Sequence, residues 1–321
     1  MSGPEGTNDM AEAVSVKQKR SILDTFRRNP VVLKKLRARM RGGRAFTLIT
    51  IYLGLLSLLV SIVYFTFVAA SNTPTGGEAR QMLGKAIFAI VVSLELVMIS
   101  FIAPALTSGA ISSEREHQTY DLLRTTLLPA RSLVFGKLTS AMSFILLLLL
   151  SAIPLQSLSA FFGGVAIEEV LIGFLILFVT ALAYCAIGLF FSSLLKRTLA
   201  STVLSYASAI LIVFGLPLIV TIILSLFGTL LGNVLGPPDP ALEYILMAIG
   251  WVLVSINPLA TAVATEVILI NEQSLFYTNI SLSGNAHFPF ISPWMSYTVI
   301  YLLLSLVLIF LSVRFVRRAE T

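Results

Sequence analysis

The residues that could do chemistry in this chain are few. It has one cysteine, Cys185, and two histidines, His117 and His287, far apart in sequence, so neither a disulfide nor a zinc framework can be written. No His-Glu-x-x-His and no Gly-x-Ser-x-Gly occurs. The Gly-Lys pairs, Gly84-Lys85 and Gly136-Lys137, are not P-loops: Ala79 and Arg131 stand where the earlier glycine belongs, and neither lysine is followed by Ser or Thr. Glu95 is the one acidic or basic residue near the centre of an apolar stretch. Intramembrane carboxylates default to a functional hypothesis. A protonated glutamate bonded to a serine or a backbone carbonyl explains it equally well. With no His, Lys or Arg partner at similar depth it makes a poor proton relay, which counts against an ion-coupled secondary transporter but leaves a backbone-coordinated sodium site open.

The elements that must position these residues follow from composition. The chain is 57% hydrophobic and 12% charged, with mean hydropathy +0.93. A soluble domain carries about 25% charged residues. So few charges cannot cover a water-facing surface, which excludes a soluble enzyme, a disordered protein and a nucleic-acid module despite a pI near 9.5. A helix needs about 20 apolar residues to cross the hydrocarbon core. Stretches 45–70, 86–107, 138–162, 170–195 and 294–313 qualify, and 199–231 reads as one long span kinked at Gly215-Leu216-Pro217. A secretory signal peptide is not expected, because the first apolar run starts late and lacks a cleavage pattern.

Segment 241–270 is apolar too, but Asn257-Pro258 splits it. Charge decides its reading. Of the 22 Lys and Arg, all but Arg80 and Lys85 fall on one side if the chain crosses six times, and that side is cytoplasmic. Segment 241–270 must then enter and leave on the outer side as two short helices, a re-entrant or interfacial hairpin rather than a seventh span. The predicted fold is an all-α polytopic membrane protein with six transmembrane helices. Residues 1–28 form a cytoplasmic tail, disordered at its start, 29–44 a helix, 45–316 the six-span domain and 317–321 a second cytoplasmic tail.

Two cytoplasmic elements remain. Asn29 can cap a helix that has Pro30 at its first position. Val32, Leu33, Leu36 and Met40 share one face of it among Lys34, Lys35, Arg37, Arg39 and Arg41. This basic amphipathic helix belongs in the headgroup layer, as a topology anchor or as an elbow that moves the first span. The second element is the loop 109–137. Ser113-Glu114-Arg115-Glu116 has the capping-box pattern, predicting a helix that runs through Tyr120, Leu122 and Leu123. Its stripe of Tyr120, Leu123 and Leu127 packs on the protein's own helices or docks a soluble partner.

Glu114-Arg115-Glu116-His117-Gln118-Thr119-Tyr120-Asp121-Leu122-Leu123, then Pro129, then Gly136-Lys137, resembles the loop of ABC transporter permeases of the type-2 export family. That family typically shows Glu, Gly-Thr, Leu-Leu, Pro and Gly-Lys in this order; Gln118 stands here where Gly is usual. The helix at 29–44 and the outer hairpin are similar to that family as well. The resemblance implies a cytoplasmic elbow helix, a coupling helix and a dimer with a second permease copy or paralogue, beside a pair of ATPase subunits. Glu114, Arg115, Glu116, Thr119, Tyr120 and Leu123 would meet the ATPase. This chain would bind no cofactor; ATP and Mg would be held by the partner ATPase.

The expected role is that of a permease subunit of an ATP-driven exporter in a bacterial-type cytoplasmic membrane, both termini cytoplasmic. The alternatives are an ion-coupled transporter and a non-transporting membrane scaffold. Glu95, Tyr206, Ser208, Gly215, Pro217 and Thr221 are the candidate pathway, with Asn257 and Pro258 at the hairpin break capping its outer end. A largely apolar lining suits a lipophilic or amphipathic cargo, and no nucleic-acid partner is expected. Other hydroxyls, such as Ser151, Ser157 and Ser205, are expected to glue helices together.

Overall fold

The computed structural model describes residues 43–70, 77–118, 130–234, 240–272, 274–281 and 287–318. The expected amphipathic helix at 29–44 falls almost wholly outside them, as do Thr119, Tyr120 and Leu123. Among the described residues six helices are long and apolar enough to cross a membrane, and the chain is an α-helical membrane protein. They are α1 (Gly43–Ala70), α2 (Gly77–Thr107), α4 (Ala130–Phe161), α5 (Ile167–Leu194), the fifth span, and the last helix. A short α3 (Ser112–Glu116) follows α2. The fifth span comprises α6 (Thr198–Ile210), one π-helical stretch (Leu211–Gly215) and α7 (Leu216–Val234). Helices α2 and α4 begin well before their apolar runs, because a helix can extend polar turns, here bearing Arg80 and Arg131, beyond its apolar part.

Helices α8 (Pro240–Ile256) and α9 (Pro258–Glu272) meet at Asn257 with a bend of 115°. Strands β1 (Tyr277–Ser281) and β2 (His287–Ile291) then pair antiparallel, Tyr277 opposite Ile291 and Ser281 opposite His287, before α10 (Pro293–Arg318). This β-hairpin corrects the all-α expectation in one place. Aromatic residues pin it: the Trp251 indole donates to the Ile291 carbonyl at 2.7 Å, the Trp294 indole to Leu275 at 2.8 Å, and Phe290 lies 5.6 Å from the Trp251 ring.

Helix α5 is the centre of the bundle. Of its span window 61% is buried, against 17% for α1 and 11% for the fifth span. It packs on α10, α2, α6 and α4. Small residues permit the approach: a Cβ on Gly188 would fall 2.1 Å from Thr107 Oγ1, and one on Gly173 3.1 Å from Phe88. A second apolar cluster, with Tyr52, Leu56, Ile87, Val91, Phe144 and Leu148, joins α1 to α2 and α4.

Most hydroxyls do not glue helices together. Ser151, Ser157, Ser205, Ser208 and Thr221 donate to carbonyls three or four residues back in their own helices. In hydrocarbon that choice satisfies the donor without a neighbour. The cross-helix exceptions include Thr180 with Tyr297 at 2.6 Å, and Ser108 with Thr202 at 3.2 Å.

Candidate functional site

At one end of the bundle, the loop after α2 is tied to the α5–α6 turn. Ser192 Oγ accepts from the amides of Ile111 at 2.8 Å and Ser112 at 3.0 Å. Ser201 Oγ donates to the Ser108 carbonyl at 2.6 Å, and Arg115 Nη1 donates to the Ser193 carbonyl at 2.8 Å. Glu116 Oε2 accepts from the Thr198 amide at 3.1 Å, at the first residue of α6, where the helix dipole favours a negative charge. Lys137 on α4 pairs with Glu114.

These contacts overturn the capping-box expectation. Ser113 lies inside α3 and donates back to the Gly109 carbonyl at 2.6 Å, while the cap position, Ile111, has no side-chain cap. The amides that start α3 find their acceptor in Ser192, on another helix. Glu116 likewise serves α6 rather than its own helix. Helix α3 also stops at Glu116 instead of continuing, because the chain turns at His117 and Gln118, where Gln118 takes φ +55°. That is left-handed backbone, which glycine adopts without strain.

Deeper in the bundle, Asn257 joins the α8–α9 break to the fifth span. Its Oδ1 accepts from the Ala260 amide at 2.8 Å, making it the N-cap of α9, with Pro258 at the first helical position. Its Nδ2 donates to the carbonyls of Ile212 at 2.7 Å and Val213 at 2.9 Å, within the π-helical stretch. Pro217 has no N–H to offer the carbonyls four and five residues before it, and those are Val213 and Ile212. The expected kink is therefore a π turn in which these two carbonyls accept from the Asn257 side chain at the break between α8 and α9. The α8 side is closed as well: Tyr301 donates to the Ile256 carbonyl at 2.6 Å and Thr261 to the Val254 carbonyl at 3.0 Å.

The candidate pathway residues do not form one set. Pro217, Thr221 and Asn257 line a groove of about 590 Å³ with Val213, Phe214 and Val263. A Cβ on Gly215, beside them in sequence, would fall 2.8 Å from its own helix's Leu211 side chain. Tyr206 instead lies over Phe101 of α2, ring centroids 6.3 Å apart, and Ser208 is bonded within its helix. Glu95 is fully buried elsewhere, accepting from Gln156 Nε2 at 2.9 Å, with Tyr52 as its other polar neighbour.

One cluster was missed in the sequence. Glu169 opens α5 and Glu266 lies on α9; both are buried, both line one cleft, and Lys85 of α2 acts on both through space. The signal in the sequence was that Arg80 and Lys85 are the two basic residues outside the cytoplasmic set. No family model matches the chain, and no curated protein matches it significantly.

Proposed function

We propose that this chain is the membrane-spanning permease subunit of an ATP-driven exporter of the ABC type-2 kind, working with a separate ATPase. In this reading the loop end faces the cytoplasm, the α8–α9 pair is re-entrant on the outer side, and the permease works as a dimer with a second copy or paralogue. The observation that carries it is the tie between the 108–118 loop and the α5–α6 turn. A motor on the loop needs a rigid connection to several spans, and this one engages α2, α5 and α6 directly and α4 through Glu114–Lys137. The loop motif supplies the family; the tie supplies a way for its movement to reach the bundle.

The roles inside the motif are revised accordingly. Glu114, Arg115 and Glu116 hold the loop to the chain's own helices, which leaves Thr119, Tyr120 and Leu123 as the ATPase anchor. A few buried aromatic and aliphatic contacts usually carry most of an interface. The cargo is lipophilic or amphipathic, with ATP and Mg bound by the partner.

Co-purification of an ATPase with the tagged chain, and cargo-dependent hydrolysis by the pair, tests the reading. Tyr120→Ala should weaken association by about 1–3 kcal/mol. Cysteines at Thr125 and Thr321 should be labelled only after the membrane is opened, and one at Ser283 from outside. A chain that retains no P-loop ATPase under mild solubilisation would return the scaffold reading.

A further inference from the structure

The cleft between α2, α5 and α9 holds two carboxylates and no direct counter-charge. Glu266 is 8% exposed, and its Oε1 is buried without a hydrogen-bond partner. Thr265 beside it is 3% exposed, and its Oγ1 is likewise unpartnered. Both residues line the cleft together with Glu169, whose Oε2 accepts from the Ala166 amide at 3.3 Å. Lys85 influences both carboxylates but makes no ion pair with either. A buried polar atom left unmatched is costly, and an unpaired buried carboxylate more so. Two such atoms on adjacent residues facing the same cleft point to a ligand that donates hydrogen bonds.

The shape narrows the ligand. The cleft's free volume is about 30 Å³, room for one or two water-sized groups. A primary ammonium fits that space, whereas a quaternary one is several times too large. The walls are apolar: Phe88, Val92, Ile172, Ile176 and Leu269. Glu169 and Leu269 also border a second cavity of about 500 Å³, which adds Gln81, Lys85 and Glu168. Glu169 thus stands where a narrow apolar slot meets a roomier polar chamber, with Glu266 inside the slot. Among the described residues no group of three His, Cys, Asp or Glu is placed to hold a metal, and two carboxylates with a hydroxyl and a nearby lysine are a set for an organic cation.

We propose that Glu266, Glu169 and Thr265 bind the primary ammonium of an amphiphile whose headgroup fills the slot and whose chain leaves it past the exposed side chain of Val263. Glu266 and Thr265 accept hydrogen bonds from its N–H groups, Glu169 completes the negative field, and Lys85 limits how tightly the cation is held. As the cargo site of an exporter this rests on the permease reading; the binding itself does not.

The test is saturation binding of radiolabelled dodecylamine to the purified chain in phosphatidylcholine nanodiscs, with no ATPase present. Dodecanol and dodecanoate of the same length are the neutral and anionic controls. Saturable amine binding is expected, weakened at least tenfold in Glu266→Gln, less in Glu169→Gln, and tightened in Lys85→Met. Dodecanol should bind all of these variants equally, which reports that the cleft is still folded. A second variant, Thr265→Val, should weaken the amine several-fold without a change in charge. Competition by phosphatidylethanolamine in the nanodisc assigns the ammonium to a membrane lipid, and its absence to a free amine; the site is supported in both cases. Amine binding that is unchanged in Glu266→Gln, or matched by dodecanoate, overturns the proposal. Because no ATPase enters the assay, a failed ATPase co-purification would leave a positive result standing, and lost amine binding would leave the permease reading standing.

Discussion

Asn257 gives both protons of its side-chain amide to the carbonyls of Ile212 and Val213, five and four residues before Pro217. Asn257 and Pro217 lie on separate elements, one at the break between α8 and α9 and one in the fifth span. Each would be a defect alone. Together, a helix-breaking proline and a helix break become a joint with its polar groups satisfied, as backbone buried in hydrocarbon requires.

The first prediction follows from that joint. Asn257→Ala should destabilise the protein by about 1–3 kcal/mol, the cost of leaving buried acceptors unmet. Pro217→Ala restores a backbone N–H and should offset part of it. Thermal unfolding in detergent of both single variants and the double variant should give a coupling of at least ~0.5 kcal/mol. Strict additivity would mean that the amide and the proline are neighbours by coincidence.

Gly188 carries the second. Its missing Cβ would fall 2.1 Å from Thr107 Oγ1 and 3.2 Å from the Ser108 amide. Gly188→Ala should therefore push α2 from α5 at the loop end, with a loss of about 1–3 kcal/mol, typical of overpacking. Thr107→Ala removes the oxygen and should recover part of the loss, the Thr107 Cβ at 3.1 Å remaining tight. Equal melting temperatures for the parent and Gly188→Ala would show that the helices can separate there freely.

The spans were legible because each is apolar over about 20 residues, and hydrocarbon imposes that length. Which face of each span is buried was not. On α1, Ile51, Leu55, Leu58 and Phe65 are exposed while Tyr52, Leu56 and Val60 are buried. With both faces apolar, no periodicity separates protein from lipid. Asn257-Pro258 was legible as a break, and its N-cap role was readable by the logic that predicts a helix start at Asn29-Pro30. Its bonds to Ile212 and Val213 were not, because they join residues more than forty positions apart. The capping box failed for a related reason. Ser113 and Glu116 have the right spacing, but a better acceptor, Ser192, and a better helix end, Thr198, arrive from elsewhere in the chain. The Glu169–Glu266 cleft is likewise a product of tertiary packing alone.

Gln118 provides a third prediction. Its φ of +55° costs an L-residue about 1–2 kcal/mol that glycine does not incur. Gln118→Gly should raise or preserve thermal stability, and Gln118→Val should lower it, since a β-branched residue tolerates that backbone worst. The order Gly, Gln, Val in melting temperature is the expected readout. A glycine variant less stable than the parent would indicate that the Gln118 side chain contributes more than its backbone costs.

The last prediction concerns Ser192, one hydroxyl that serves two amides. Ile111 and Ser112 donate to its Oγ at 2.8 and 3.0 Å, and all three residues are buried. Ser192→Ala would leave both buried amides without that acceptor, at about 1–3 kcal/mol. The effect should be local. The α2–α3 loop would lose its hold on the α5–α6 turn, while the packing of α5 on α2 and α10 would remain. Hydrogen exchange should therefore quicken at 108–116 and at the start of α6, where Thr198 depends on Glu116, with the middle of α5 unchanged. Ser192→Thr keeps the acceptor and should protect these amides again. If the loop is the lever of an ATP-driven bundle, the alanine variant should also hydrolyse ATP without moving cargo, since the partner would push a loop no longer tied to α5. Faster exchange throughout α5 would instead make Ser192 a core residue of the bundle. Unchanged exchange at 108–116 would show that the loop is held by its other contacts, Arg115 with Ser193 and Ser201 with Ser108.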